Sequence, residues 1–292
     1  MCITSMAASA KAAAKVFLLA GQSNMEGAGT VSELTPPYSV SQPSVRFWDV
    51  TNGTWTDLRP GVGRTIPEFG PEVSFGYAMH NAFPDDSIYL VKYAVGGTNL
   101  AADWNPNGGG YCYNNFKTSA NAALQNLRIA GLSPTLAGMV WMQGESDTLR
   151  HDYAAAYGHN LSAFVSKVRT DFAAQNMPFV LGQITTYLWQ GQVTTADNLL
   201  VRSAQATVPG QVGNASWIST DDLQINPAQP GHYGTQGQVD LGIRFAGQFV
   251  QTPEPSMLVL AGTGLLVWAG HLARQRRLAR RQNHSDFRHV PS

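Results

Sequence analysis

Five short, almost uninterrupted apolar runs recur along the chain, at Val16–Ala20, Val45–Trp48, Ile88–Tyr93, Gly138–Met142 and Pro178–Gly182. Runs of this length, broken only by Arg46 and Lys92, suit strands covered on both faces rather than one face in water. Helix-length segments lie between several of them, at 71–83, 116–131, 152–175 and 196–208, and another runs from Gly234 to Phe249. Strands alternating with helices predict an α/β fold with a parallel sheet sandwiched between helices. Ligands of such sheets bind where the loops leave the carboxyl ends of the strands.

Composition narrows the class. The chain has 292 residues, 43% hydrophobic, 10% aromatic and only 13% charged, which excludes disorder as its main state and is enough for one large domain or at most two small ones. The two cysteines, Cys2 and Cys112, make neither a disulfide framework nor a thiolate metal site. No His/Cys/carboxylate cluster has ligand spacing, so no metal or cofactor is expected. The 19 basic and 19 acidic side chains balance, but six of the arginines and a single acid, Asp286, lie from Arg274 onward. The body up to residue 273 therefore carries 13 basic against 18 acidic groups, a net −5 that would repel a phosphate backbone, so no nucleic-acid partner is expected.

The unusual residues sit at the ends of the apolar runs. Gly21-Gln22-Ser23-Asn24-Met25 follows the first, Gly96-Gly97-Thr98-Asn99 the third, and Gln143-Gly144-Glu145-Ser146-Asp147 the fourth; Pro230-Gly231-His232-Tyr233 opens the last helix. A serine on a strand-to-helix turn exposes a hydroxyl beside backbone N–H donors, although a serine there equally serves as a helix cap. A serine nucleophile needs a base. Of seven histidines, His284 and His289 lie in the basic tail, His271 in an apolar segment, and His80, His151 and His159 in helix-like stretches. His232 alone sits in a polar Pro/Gly loop.

Together these four blocks resemble the SGNH-type hydrolases, most nearly the branch of sialate O-acetylesterases and the acetyl xylan esterases of carbohydrate esterase family 6, over residues 15–250. The resemblance implies a three-layer α/β/α sandwich with a parallel, flavodoxin-like sheet. It also implies a serine esterase that removes acetyl groups from carbohydrates through an acetyl-enzyme. Ser23 would be the nucleophile and His232 the general base. The oxyanion hole would use the backbone N–H groups of Ser23 and of Gly96-Gly97, with Gln143 where related enzymes place an asparagine amide. Gln22, Asn24 and Trp104 are candidates for contacting substrate, Trp104 having the alternative of covering the sheet edge. The glycine-rich loop 107–113 is flexible enough to set specificity.

One position departs from the pattern. The family usually carries an aspartate three residues before the histidine, and here that residue is Gln229, which offers no charge. Asp222 is the first alternative, with Glu145 next, and a Ser-His dyad without an acid stays open. Glu145 and Asp147 have a further reading as acids that complement a helix dipole. Two rival functions remain: a catalytically impaired carbohydrate-binding surface protein, and an esterase of broader acyl range.

The tail stands apart. Pro253-Glu254-Pro255, the 17-residue apolar run 257–273 and the arginine cluster 274–277 resemble, in that order, the PEP-CTERM sorting signal of bacterial envelope proteins. A helix over 257–273 rises about 25 Å, at the short end of what spans a bilayer. The resemblance implies export, membrane insertion before processing, and recognition by an exosortase. Residues 1–14, rich in alanine with Lys11 as their one charged side chain, read as an N-terminal extension or degenerate signal, and 251–292 as a separate sorting tail.

Overall fold

The structure, a computed structural model, describes residues 13–63, 67–188 and 193–250. The chain divides into two compact units, 1–249 and 250–292, and the described residues belong to the first, Val250 apart.

Strand β1 (Ala14–Gly21) leads into a single helical turn, α1 (Ser23–Glu26). Then come β2 (Gly29–Thr30), β3 (Gln42–Asp49), β4 (Thr54–Leu58), β5 (Glu68–Phe69), α2 (Glu72–Ala82), β6 (Ser87–Ala94) and α3 (Tyr111–Ile129). The remainder is β7 (Pro134–Met142), a 3-10 turn at Asp147–Leu149, α4 (His151–Asp171), β8 (Phe179–Gly182), α5 (Thr195–Val212), β9 (Ala215–Ile218) and α6 (Thr235–Val250). The main sheet has the order β4-β3-β6-β1-β7-β8-β9, and every pairing is parallel except the β3–β4 hairpin. Its β6-β1-β7-β8-β9 portion is the flavodoxin-like order, so the α/β sandwich expected from the sequence is the one observed.

Burial explains the layers. β1 lies at the centre, buried along almost its whole length. On one face Phe17 meets Phe75 of α2 and Phe249 of α6 edge to face, with centroids 5.4 and 5.3 Å away. On the other, Trp141 of β7 packs on Phe164 of α4 at 4.4 Å and on Trp104 at 5.1 Å. Register then sets the site: Gly21 pairs with Ala94 of β6 and with Met142 of β7, so three strand ends arrive level where the strand order reverses.

The short strands β2, β4, β5 and β9 escaped the sequence reading. α3 also begins five residues before the expected Phe116 and takes in Tyr111, Cys112 and Tyr113. Cys112 and Tyr113 are buried, so the second half of the expected flexible loop is the anchored first turn of a helix.

Candidate active site

The turn that carries Ser23 begins with a close approach of backbones. Gly21 has φ +154°, and a Cβ there would fall 1.9 Å from Met142 O, so only glycine lets β1 leave the sheet this near to β7. Gln22 N–H then donates to that same Met142 carbonyl at 2.9 Å, and α1 closes through Glu26 N–H to Gln22 O at 2.8 Å. Ser23, as the first helical residue, has no intrahelical partner for its N–H. The Gly96 backbone packs against it: a Cβ on Gly96 would lie 3.5 Å from Ser23 Cβ. The site thus has a partly exposed hydroxyl beside an unsubstituted turn.

His232 Nε2 lies 2.9 Å from Ser23 Oγ, across 209 residues of sequence, and both side chains are partly exposed. Asn24 sets that meeting. Its Oδ1 accepts from Tyr233 N–H at 3.1 Å, and its Nδ2 donates to Gly231 O at 3.2 Å and to Glu145 Oε1 at 2.7 Å. The peptide units on either side of the histidine are therefore clamped to the residue beside the serine. Asn24 is fully buried, and its amide is occupied by protein, which corrects its expected contact with substrate.

Gln143 also differs from expectation. It is fully buried, and its Nε2 donates to Asp147 Oδ2 at 2.6 Å, Thr98 O at 3.1 Å and Gln22 Oε1 at 3.2 Å. Two amide hydrogens shared among three protein acceptors leave none for an oxyanion. Gln22, 3% exposed, turns its oxygen inward to Gly144 N–H at 3.1 Å and Ser146 N–H at 3.3 Å. Trp104 is fully buried, with Nε1 donating to Thr98 Oγ1 at 2.9 Å, so its ring belongs to the core and not to a sugar platform. Side-chain amides thus lock all four turns together, Gln22 and Gln143 joining the first three and Asn24 tying the fourth to the first.

The acids separate sharply. Asp222 is 70% exposed and both its oxygens accept from Arg244 at 2.6 Å, which holds its carboxyl down at about 2; the guanidinium takes the place of an imidazole. Gln229 is exposed and reaches toward Glu68. Glu145 is buried next to Asn24, and desolvation raises its carboxyl despite the Asn24 bond. Its Oε2 accepts no hydrogen bond among the described residues, so its bonded link to the histidine loop runs through Asn24. Asp147, fully buried, accepts from Leu100 N–H at 2.8 Å, Ala101 N–H at 3.1 Å and Gln143; desolvation dominates these bonds and raises its carboxyl to about 6. Tyr157 and Gln205 complete the buried network, both donating to Gln143 O at 2.9 Å. No periodicity signalled these two. Among the described residues no group of three or more His, Cys, Asp or Glu could hold a metal.

A hydroxyl in hydrogen-bond contact with an imidazole at a sheet's rim is an arrangement that acyl transfer can use. A family model described as "Carbohydrate esterase, sialic acid-specific acetylesterase" matches residues 13–251, and one described as "PEP-CTERM protein-sorting motif" matches 251–277. A protein of Arabidopsis thaliana named "Probable carbohydrate esterase" is 23% identical over 256 residues, covering 81% of this chain and 90% of its own. A solved Arabidopsis thaliana structure superposes with a TM-score of 0.69 at 22% identity, over 82% of this chain and 99% of that one. NanS gives 0.64 at 13% identity, over 83% and 98%. A Xanthomonas citri protein titled "a novel carbohydrate acetylesterase" gives 0.58 at 18% identity, over 80% of this chain and 55% of that one.

Proposed function

We propose a reaction for a chain that belongs to the carbohydrate esterase, sialic acid-specific acetylesterase family: serine-dependent removal of O-acetyl groups from sugars. The observation that carries it is the 2.9 Å contact between Ser23 Oγ and His232 Nε2. His232 takes the hydroxyl proton as Ser23 attacks the acetyl carbonyl, and the oxyanion is met by the N–H groups of Ser23 and of the Gly96-Gly97 turn. Collapse returns the proton to the leaving sugar oxygen and leaves an acetyl-serine. Water, deprotonated by the same imidazole, then releases acetate and restores the serine. Neither Asp222 nor Gln143 takes part directly. Glu145 supports the imidazole through Asn24 and the fixed peptide units beside it.

Hydrolysis of a small chromogenic acetate ester tests the reaction class. S23A and H232A are each expected to lower kcat about 10⁴-fold or more while leaving folding intact. Equal rates for wild type and S23A would end the serine reading. Comparing acetyl with octanoyl esters tests the preference for a short acyl group, and acetylated sialic acid against acetyl xylan tests the sugar. Gln229 in place of an acid favours a second reading, a sugar-binding protein without turnover, which predicts sugar binding and no acetate release.

The sorting motif at 251–277 supports export to the cell envelope of a bacterium, with an exosortase as the partner that reads the tail. The apolar run 257–273 lies outside the described residues; among these no helix is long and apolar enough to cross a membrane. On this reading the run spans the bilayer until the tail is processed. Residues 15–250 are the esterase domain and 251–292 its sorting tail.

A further inference from the structure

Asp147, fully buried, gathers bonds from the end of the loop whose Gly96-Gly97 turn would receive the oxyanion, while Asp103 of that loop accepts from Asn99 N–H at 2.9 Å. The segment from Val95 to Ala101 is stapled at both ends. At its start Val95 N–H donates to Gly21 O at 3.1 Å, one residue before the serine's own turn. At its end Leu100 and Ala101 N–H groups donate to the Asp147 carboxylate at 2.8 and 3.1 Å. Between them Thr98 O accepts from Gln143 Nε2, which donates at 2.6 Å to Asp147 Oδ2 and also reaches Gln22, the neighbour of Ser23. Gly96 and Gly97 have no side chains with which to hold themselves, so their N–H groups are placed by these staples together with the bonds of Thr98 to Val95 O and of Asn99 to Asp103.

We propose that Asp147 is a positioning residue for the esterase reaction, fixing the Gly96-Gly97 turn against Ser23 through Leu100, Ala101 and Gln143. The inference rests on the serine esterase reading for its catalytic consequence and on hydrogen bonds alone for its structural one. Ionisation of Asp147 is costly to the fold, because a buried carboxyl raised to about 6 still carries its charge at neutral pH. A residue that served packing alone would be better neutral in this place. A carboxylate accepts from every donor around it, whereas an amide or a carboxylic acid turns a donor of its own toward backbone N–H groups.

The test is D147N in the full chain, beside wild type and S23A, on a chromogenic acetate ester. D147N is expected to lower kcat about tenfold to a hundredfold, as a displaced donor would, with KM held within about twofold. In parallel, hydrogen exchange of the Leu100 and Ala101 amides is expected to speed up in D147N. Unchanged kcat, or unchanged protection of those two amides, overturns the proposal. Wild type no faster than S23A overturns the esterase reading instead, and amide exchange still decides whether Asp147 holds the turn.

Should D147N not fold, the wild-type protein carries the test. Protection of Leu100 and Ala101, corrected for intrinsic exchange, is expected to fall between about pH 7.5 and about pH 5 as Asp147 takes up a proton. The titratable groups that bear on Asp147 are Asp103 on the loop that carries Leu100 and Ala101, Glu145 on its own turn and Tyr157 of α4, while α5 presents the uncharged Gln205 to the network. Of these, Asp103 and Glu145 accept no hydrogen from the Leu100 or Ala101 amides. pH-independent protection therefore overturns the proposal.

Discussion

Both ends of the Asn24 amide are occupied by groups that decide where His232 lies, and the amide is buried completely. Removing it takes from the Tyr233 N–H and the Glu145 carboxyl a partner they have in a buried place. N24A is expected to cost about 2–3 kcal/mol in urea unfolding and to lower kcat about tenfold to a hundredfold, because the histidine loop loses its register with the serine. Equal activity in N24A and wild type would show that the loop finds His232's position unaided. The meeting of Ser23 with His232 was legible in the sequence because each stands in a short polar turn at the end of an element. The tasks of Asn24, Gln143 and Trp104 were not, because an amide or an indole reads the same whether it faces a sugar or a buried carbonyl. Only burial separates the two. Asp222 misled for a related reason: its partner Arg244 lies 22 residues on, on the next helix, and nothing in the chain announces the pairing.

At the scale of elements, α1 is held at its far end by a strand it does not pair with. Lys92 of β6 donates to Glu26 O at 2.7 Å and to Glu72 Oε2 of α2 at 2.6 Å, and both of these charged side chains are almost wholly buried. K92M would strand the Glu72 carboxylate and is expected to cost about 3–5 kcal/mol, whereas K92M with E72L should recover most of that loss. Chemical denaturation of the two variants checks the order. A double variant no better than the single one would mean that Lys92 acts by packing rather than by charge. The long buried strands β1, β6 and β7 were legible from their continuous apolar runs. The short strands β4 and β9 were not, since Thr54–Leu58 and Ala215–Ile218 owe their pairing to a hairpin and to the exposed edge beside β8. α3 was read too short because the glycines at 108–110 suggested a loop extending past the helix's true first turn.

Across the whole molecule, the carboxyl groups pull stability in opposite directions with pH. Asp147, raised to about 6 in the fold against about 4 in the unfolded chain, binds its proton more tightly when folded, so its contribution falls as pH rises from about 4 to about 6. Asp171 behaves oppositely. Burial pushes its carboxyl up, but Lys167, Lys117 and Tyr113 outweigh that and bring it to about 2, so its stabilisation is present above about pH 4 and is lost as pH falls toward 2. Urea midpoints of wild type relative to D147N should therefore decline between pH 4 and 6, and a flat difference would show that Asp147 titrates normally. The 209 residues separating hydroxyl from imidazole carry a last implication for biosynthesis. On the proposed serine reaction, a polypeptide still emerging from the ribosome, or nicked after β9, would own every strand of the main sheet and a serine in place, yet remain chemically silent until the segment from Ser219 to Val250 closed over the rim.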